Sequence, residues 1–146
     1  MLHCFQLCQG IADFLLSRGW GDDFEIQAAW AIPYEPEQLL GTQILISPDQ
    51  VQEQDFLDRQ RRVSQRLSVS LLLQRKPPDL LPETLLSLAS LQSEIHDLLR
   101  RAGMIESAGL QFYYDSGGTS GFVREHLEQY RIYTGYLDLQ YLLLRD

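Results

Sequence analysis

Arg66-Leu67-Ser68-Val69-Ser70-Leu71-Leu72-Leu73-Gln74-Arg75-Lys76-Pro77-Pro78 is the stretch on which the fold turns. Leu67, Val69, Leu71 and Leu73 alternate with Ser68, Ser70, Leu72 and Gln74, the period of a β-strand. Pro77 and Pro78 close the strand, because proline cannot donate to a ladder. At its centre the alternation gives way to Leu71-Leu72-Leu73, apolar on both sides, and Leu142-Leu143-Leu144 repeats the pattern near the end of the chain. Strands of this kind belong to a sheet covered on both faces.

Working upstream, Phe24, Ile26, Ala28, Trp30 and Ile32 alternate with Glu25, Gln27, Ala29 and Ala31, which predicts a strand opened by the turn Gly21-Asp22-Asp23 and ended by Pro33. Tyr34 to Leu40 reads as a connector. A short strand, Thr42 to Ser47, has Ile44-Leu45-Ile46 at its centre and Pro48 at its end. Asp49 to Arg62 is too polar to bury and reads as a long exposed loop or extended hairpin arm; segments of this length in a compact domain usually carry function. Before all of these, Cys4, Leu7, Cys8, Ile11 and Leu15 recur at three-and-four spacing, the stripe of a helix that stops near Gly19.

Downstream, Pro82 suits a first helical turn, and Leu85, Leu88, Ile95, Leu98 and Leu99 share one face of a helix ending at Gly103. Asp115 to Gly121 reads as a glycine-rich loop. Tyr130 to Leu144 forms the last strand, with Leu137, Leu139, Tyr141 and Leu143 alternating with Asp138 and Gln140. The expected fold is therefore one α+β domain over residues 1–146, in the order α-β-β-β-α-β. It has a single mixed or antiparallel sheet of about four strands, two helices packed on one face and a long arm between strands 2 and 3. Two helices cover one face only, so the other implies a second subunit.

The chain has 146 residues, 45% hydrophobic and 22% charged, an ordinary globular mixture. Its net charge of −8 argues against general nucleic-acid binding, which rests on clustered positive charge. No apolar run approaches the roughly 20 residues of a membrane span, and no basic segment precedes the interrupted apolar start, so a cytoplasmic protein without a secretory signal is expected. Cys4 and Cys8 cannot form a multi-bridge framework and are expected to be reduced.

Few groupings of side chains suggest chemistry. His3, Cys4 and Cys8 could offer soft ligands near one helical turn, but a second cluster is missing and the cysteines read as small core hydrophobes. Gly117-Gly118-Thr119-Ser120-Gly121 lacks the Walker spacing and any dinucleotide fingerprint. Asp115, Ser120 and His126 supply triad residue types without the elbow that presents a nucleophile. His96, between Glu94 and Asp97, reads as a solvated helix histidine; Glu35 with Glu37 and Asp22 with Asp23 read as surface carboxylates. No enzyme, metal or cofactor is expected.

What remains are surfaces. Arg59, Arg61, Arg62 and Arg66 crowd into the polar segment and admit three readings: a solvated loop, a docking arm for an acidic neighbouring subunit, or a contact with passing nucleic acid. Leu72 lies on the strand face assigned to a partner. Tyr133, Tyr136 and Tyr141, with Trp30, are either interface anchors or simple core.

The order of first helix, Phe24-to-Pro33 strand, Leu39-Leu40-Gly41 entry into the Thr42-to-Pro48 strand, arginine loop, Ser64-to-Arg75 strand, Leu85-to-Arg101 helix and Tyr130-to-Leu144 strand resembles the tail terminator, or tail completion, proteins of long-tailed bacteriophages. The resemblance covers nearly the whole chain, through element order and not through a motif. It implies a homo-oligomeric ring, commonly a hexamer, in the virion. Such a ring sits on the head-proximal end of the tail tube, stops its polymerisation and docks the head connector, while DNA passes through the lumen without specific binding. The long loop and free strand edges would then join neighbouring subunits. A connector or adaptor at another neck position is the alternative within the same particles; a small hydrolase using 115–126 is the alternative outside them.

Overall fold

Three helices and one six-stranded mixed sheet make up the chain in the computed structural model, which describes residues 1–20, 23–57 and 63–145, with the backbone alone at 50, 52–57, 63–64 and 144–145. The elements are α1 (Leu2–Leu16), β1 (Phe24–Ala28), a 3-10 turn (Pro36–Gln38), β2 (Thr42–Leu57), β3 (Val63–Arg75), α2 (Pro82–Ala102), β4 (Met104–Ser107), β5 (Leu110–Phe122), α3 (Arg124–Tyr130) and β6 (Tyr133–Arg145). Strands lie in the order β1-β2-β3-β6-β5-β4, with β1 parallel to β2 and every other pair antiparallel. Among the described residues no helix is long and apolar enough to cross a membrane.

The α+β class matches the expectation; the element count does not. Of the two readings of the segment from Asp49, loop or extended hairpin arm, the hairpin holds as far as the described residues reach: β2 runs through Pro48 to Leu57 and pairs with β3 as far as Leu57 opposite Val63. A register shift between Pro48 and Gln50 absorbs the proline, because a bulge removes the need for its missing N–H. The presumed glycine loop is likewise strand. β5 carries two irregularities, between Tyr114 and Ser116 and between Gly117 and Ser120, and between them keeps its pairing with β6. β4 and α3 complete the difference. The expected opening turn at Gly21 and Asp22 lies outside the described residues.

α1 places Cys4, Leu7, Cys8, Ile11 and Leu15 in full burial, as their spacing predicts. They meet Ile26, Ile44, Ile46, Leu67, Val69, Leu71 and Leu73 from one face of the sheet. α2 adds Leu88, Ile95 and Leu99 to the same core and ends at Gly103, whose φ of +72° is the left-handed cap that glycine adopts without strain. Tyr141 is wholly buried in this core, and Tyr133 is 5% exposed with its hydroxyl donating to Gln92 Oε1 at 2.8 Å.

The sheet curls around α1. The helix packs against β1 and β2 on one side and against β4, the opposite edge strand, on the other. The approach of β4 is close enough that a Cβ on Gly10 would lie 2.7 Å from Ile105 Cγ2 and 2.8 Å from the Ser107 Cβ.

Helix propensity alone favours alanine over glycine inside a helix by about 1 kcal/mol, whereas overpacking a tight contact costs about 1–3 kcal/mol. The contact should win. Gly10→Ala is expected to lower the urea midpoint at unchanged m-value; a raised midpoint would mean that β4 yields freely and the curl is loose.

Candidate functional site

Alternate residues of the strands point to the face away from α1 and α2. On β3 these are Arg66, Ser68, Ser70, Leu72 and Gln74, and on β6 Thr134, Tyr136, Asp138, Gln140 and Leu142, paired row by row. Leu72 stands opposite Tyr136, with Leu45 of β2 on its other side. Three of the residues singled out from the sequence, Arg66, Leu72 and Tyr136, thus share one face, and all three are half-buried. Tyr136 lies over Gly121, where an added Cβ would come within 2.8 Å of its hydroxyl.

Tyr133 and Tyr141 go to the inner face instead. They belong to the chain's own core, the simpler of the two readings open to them. Trp30 is 60% exposed and stacks on Phe5 of α1, ring centroids 4.8 Å apart and planes 2° apart. Arg59, Arg61 and Arg62 lie outside the described residues. Arg66 has an acidic neighbour in its own chain, Asp115 Oδ2 at 3.6 Å from its Nε.

The outer face is not left wholly bare. β1 and β2 run parallel, so the chain must cross from the end of one to the start of the other, and the 29–41 connector makes that crossing beneath the outer face. Its Tyr34 hydroxyl donates to Gln74 Oε1 of β3, and Leu39 is 6% exposed. α3 and Ile132 close in beside it. At this end Gln43, Leu45, Gln74, Ile132 and Thr134 are all buried. The expectation that nothing in the chain is available for the second face is corrected accordingly. A connector and a seven-residue helix roof one end, and the rows from Leu72-Tyr136 to Arg66-Leu142 stay open.

The open part is mixed in character. Ser70 Oγ donates to Asp138 Oδ1 at 3.1 Å, and Ser116 Oγ to Gln140 Oε1 at 3.3 Å. Leu72 with Tyr136 on one side of these polar rows, and Leu142 on the other, supply apolar area. Beside them β2 overhangs its neighbour: β1 pairs only as far as Ala28 opposite Ile46. Among the described residues nothing pairs with the outer edge of β2 beyond that point. Unpaired N–H and C=O groups on such an edge are a template for another strand.

A hydrolytic triad is not assembled. His126 Nδ1 is 2.8 Å from Thr134 Oγ1, while Asp115 faces Arg66. Thr134 and Gln140, the latter opposite Ser116, are six residues apart on β6, a span of about 20 Å. Cys4 and Cys8 are fully buried on the inner side of α1, and His3 bonds Gln6. His96 is a correction: it is half-buried, its Nε2 2.9 Å from the Tyr114 hydroxyl and its ring over Gly117, where a Cβ would overlap it. The glycine is spent on that close approach.

Sequence reading missed the polar chain under the crossover: Tyr34, Gln74, Thr134 and His126. Gln74 Nε2 donates to Thr134 Oγ1 at 3.1 Å, joining the Tyr34 and His126 contacts into one network. Only the parity of Gln74 and Thr134, polar on a face read as apolar, marked the place. Burial and the nearby Glu25 carboxylate push the Tyr34 hydroxyl up to about 12, and burial raises Tyr133 and, with Tyr114 beside it, Tyr141.

Compared with known proteins, the chain matches no family model and no curated protein sequence.

These tyrosines fix an alkaline response. Neutral phenols are favoured in the folded state, so their contribution is complete below the unfolded value of about 10 and is lost as pH climbs through the raised folded values. Urea midpoints should fall steeply between pH 10 and 12. Tyr34→Phe removes one of these groups and leaves Gln74 Oε1 without its donor, at a cost of about 1–3 kcal/mol near neutrality. The variant should start lower and fall less with pH; an unchanged slope would show that Tyr34 ionises freely.

Proposed function

We propose that this protein is a structural subunit of a phage-type tail, forming a homo-oligomeric ring at the head-proximal end of the tail tube. There it ends tube polymerisation and offers its free side to the head connector. The observation that carries the reading is the open part of the outer sheet face, where Leu72, Tyr136 and Leu142 share one surface, together with the overhang of β2 beyond Ile46 that no strand among the described residues pairs. An apolar and hydroxyl-bearing platform next to a free strand edge suits association through a continuous surface, with the edge giving register and the tyrosine an anchor.

Electrostatics supports the same reading. A chain of net charge −8 lines a conduit that repels phosphate, so DNA passes without being held. The Arg59-Gln60-Arg61-Arg62 stretch of the sequence would bring positive charge to an otherwise acidic neighbour, the arrangement favoured when one copy meets another.

Native mass spectrometry of the purified chain, alone and mixed with tail tubes, tests the proposal. Rings, or tubes capped by the protein, are the expected result; a chain that stays monomeric at high concentration and ignores tubes defeats it.

Leu72→Asp places a charge on the open face at a half-buried position, so it should cut the assembled fraction measured by sedimentation velocity while shifting folding stability by no more than about 1 kcal/mol. Unfolding of the variant would instead assign Leu72 to the protomer's own core.

A further inference from the structure

Beneath the crossover lies a recess of 320 Å³ lined by Ile32, Tyr34, Glu35, Pro36, Leu39, Gln74, His126, Tyr130 and Ile132. It falls at the lower end of the size range of small-molecule and side-chain sites. It is built, not incidental: the polar group at its base is Gln74, 5% exposed, tied directly to Tyr34 and through the buried Thr134 to His126.

The network has a direction. The Tyr34 hydroxyl is held protonated and donates to Gln74 Oε1; the Gln74 amide donates to Thr134 Oγ1. The Gln74 side chain is then used on both ends, while the Tyr34 oxygen keeps lone pairs to accept from a guest. At the rim stands the exposed Glu35 carboxylate. The recess is thus lined by two acceptors, one of them charged.

The walls have another character. Ile32, Leu39, Pro36 and Ile132 are aliphatic, and the rings of Tyr34, Tyr130 and His126 stand among them, the last two edge-to-face at 6.2 Å. Ile32 and Tyr130 are 42% and 45% exposed at the mouth. Aliphatic walls take a hydrocarbon stem; aromatic faces and a carboxylate take a cation rich in N–H donors.

We infer that this recess binds an alkylguanidinium or alkylammonium group, the chemistry of an arginine or lysine side chain. The inference does not depend on ring formation, since every lining residue belongs to one protomer. Two sources share that chemistry: a free small cation, or the Arg59-Gln60-Arg61-Arg62 stretch of another copy of this chain.

The test is an NMR titration of the full-length protein at pH 8, following the Tyr34, Tyr130 and His126 ring resonances. The probes are n-butylguanidinium, its neutral counterpart n-butylurea, and a synthetic peptide of residues 56–64 with and without its arginines replaced by glutamine. Saturable shifts with n-butylguanidinium, absent with n-butylurea, are expected. Glu35→Gln should weaken binding about three- to fivefold, and Tyr130→Leu, which keeps the aliphatic wall, about as much. Binding of the arginine peptide but not its glutamine version assigns the source to another copy; binding of the small cation alone assigns it to a free ligand. Equal binding of the urea, or no saturable shift at millimolar probe, overturns the inference.

Discussion

The position of α1 inside the curl of the sheet is the constraint from which the other features follow. Its stripe of Cys4, Leu7, Cys8, Ile11 and Leu15 is fully buried, and each such aliphatic side chain contributes about 1.5–3 kcal/mol relative to exposure. One flat sheet cannot surround a helix in this way; the edges must bend towards it. β1 and β4, at opposite ends of the strand order, both reach α1. The glycine at position 10 is the local adjustment that lets β4 come so near. Curling also gives the two faces different duties, because the concave side is filled by helices and the convex side is left to whatever else the chain supplies.

What the chain supplies there follows from the parallel pairing of β1 and β2. A hairpin would have left the outer face bare, whereas a parallel pair needs a crossover, and α1 already occupies the inner side. Gly41, with φ of +66°, delivers the crossover into β2; a Cβ there would overlap the Asp23 carbonyl, which accepts from the Thr42 N–H at 2.8 Å. The connector is shorter in apolar area than a helix would be, so it is anchored by hydrogen bonds: Tyr34 to Gln74, and on through Thr134 to His126. A polar-floored recess with aliphatic walls is the geometric residue of covering a sheet with a strap instead of a helix.

The sequence made the inner architecture legible and the outer one obscure, for one reason. Periodicity reports which residues are buried against the main core, and α1, α2 and β3 could be read from it almost to the residue. Pro48 misled because proline ordinarily ends a strand, and here a bulge carries the ladder past it. Asp115 to Gly121 misled because glycine usually marks a loop; here Gly117 and Gly121 make room for His96 and Tyr136. β4 left a signal that could have been used: Ala108-Gly109, both at positive φ, stands between Ile105 and Phe112, which pair across the turn. α3, seven residues long with none of them buried, left almost none. Parity put Leu72 on the face away from the helices; of the three tyrosines left open between anchor and core, Tyr136 shares that face, while Tyr133 and Tyr141 belong to the core.

The half-roofed outer face also limits what kind of association the protein can support. Apolar area there is modest: Leu45, 1% exposed, is already covered from within, and the open rows alternate leucine and tyrosine with serine, aspartate and glutamine. Such a surface does not force dimerisation through hydrophobic burial alone, since polar side chains on it pair with one another, as in Ser70 to Asp138 and Ser116 to Gln140. Association through it would draw specificity from geometry and from the unpaired edge of β2, whose backbone groups have fixed spacing and direction. A contact of that kind forms between subunits held in register by several neighbours more readily than between two free molecules, because each joint is weak and only closure makes the sum large. The proposed ring would draw on this balance of leucine, hydroxyl and open edge.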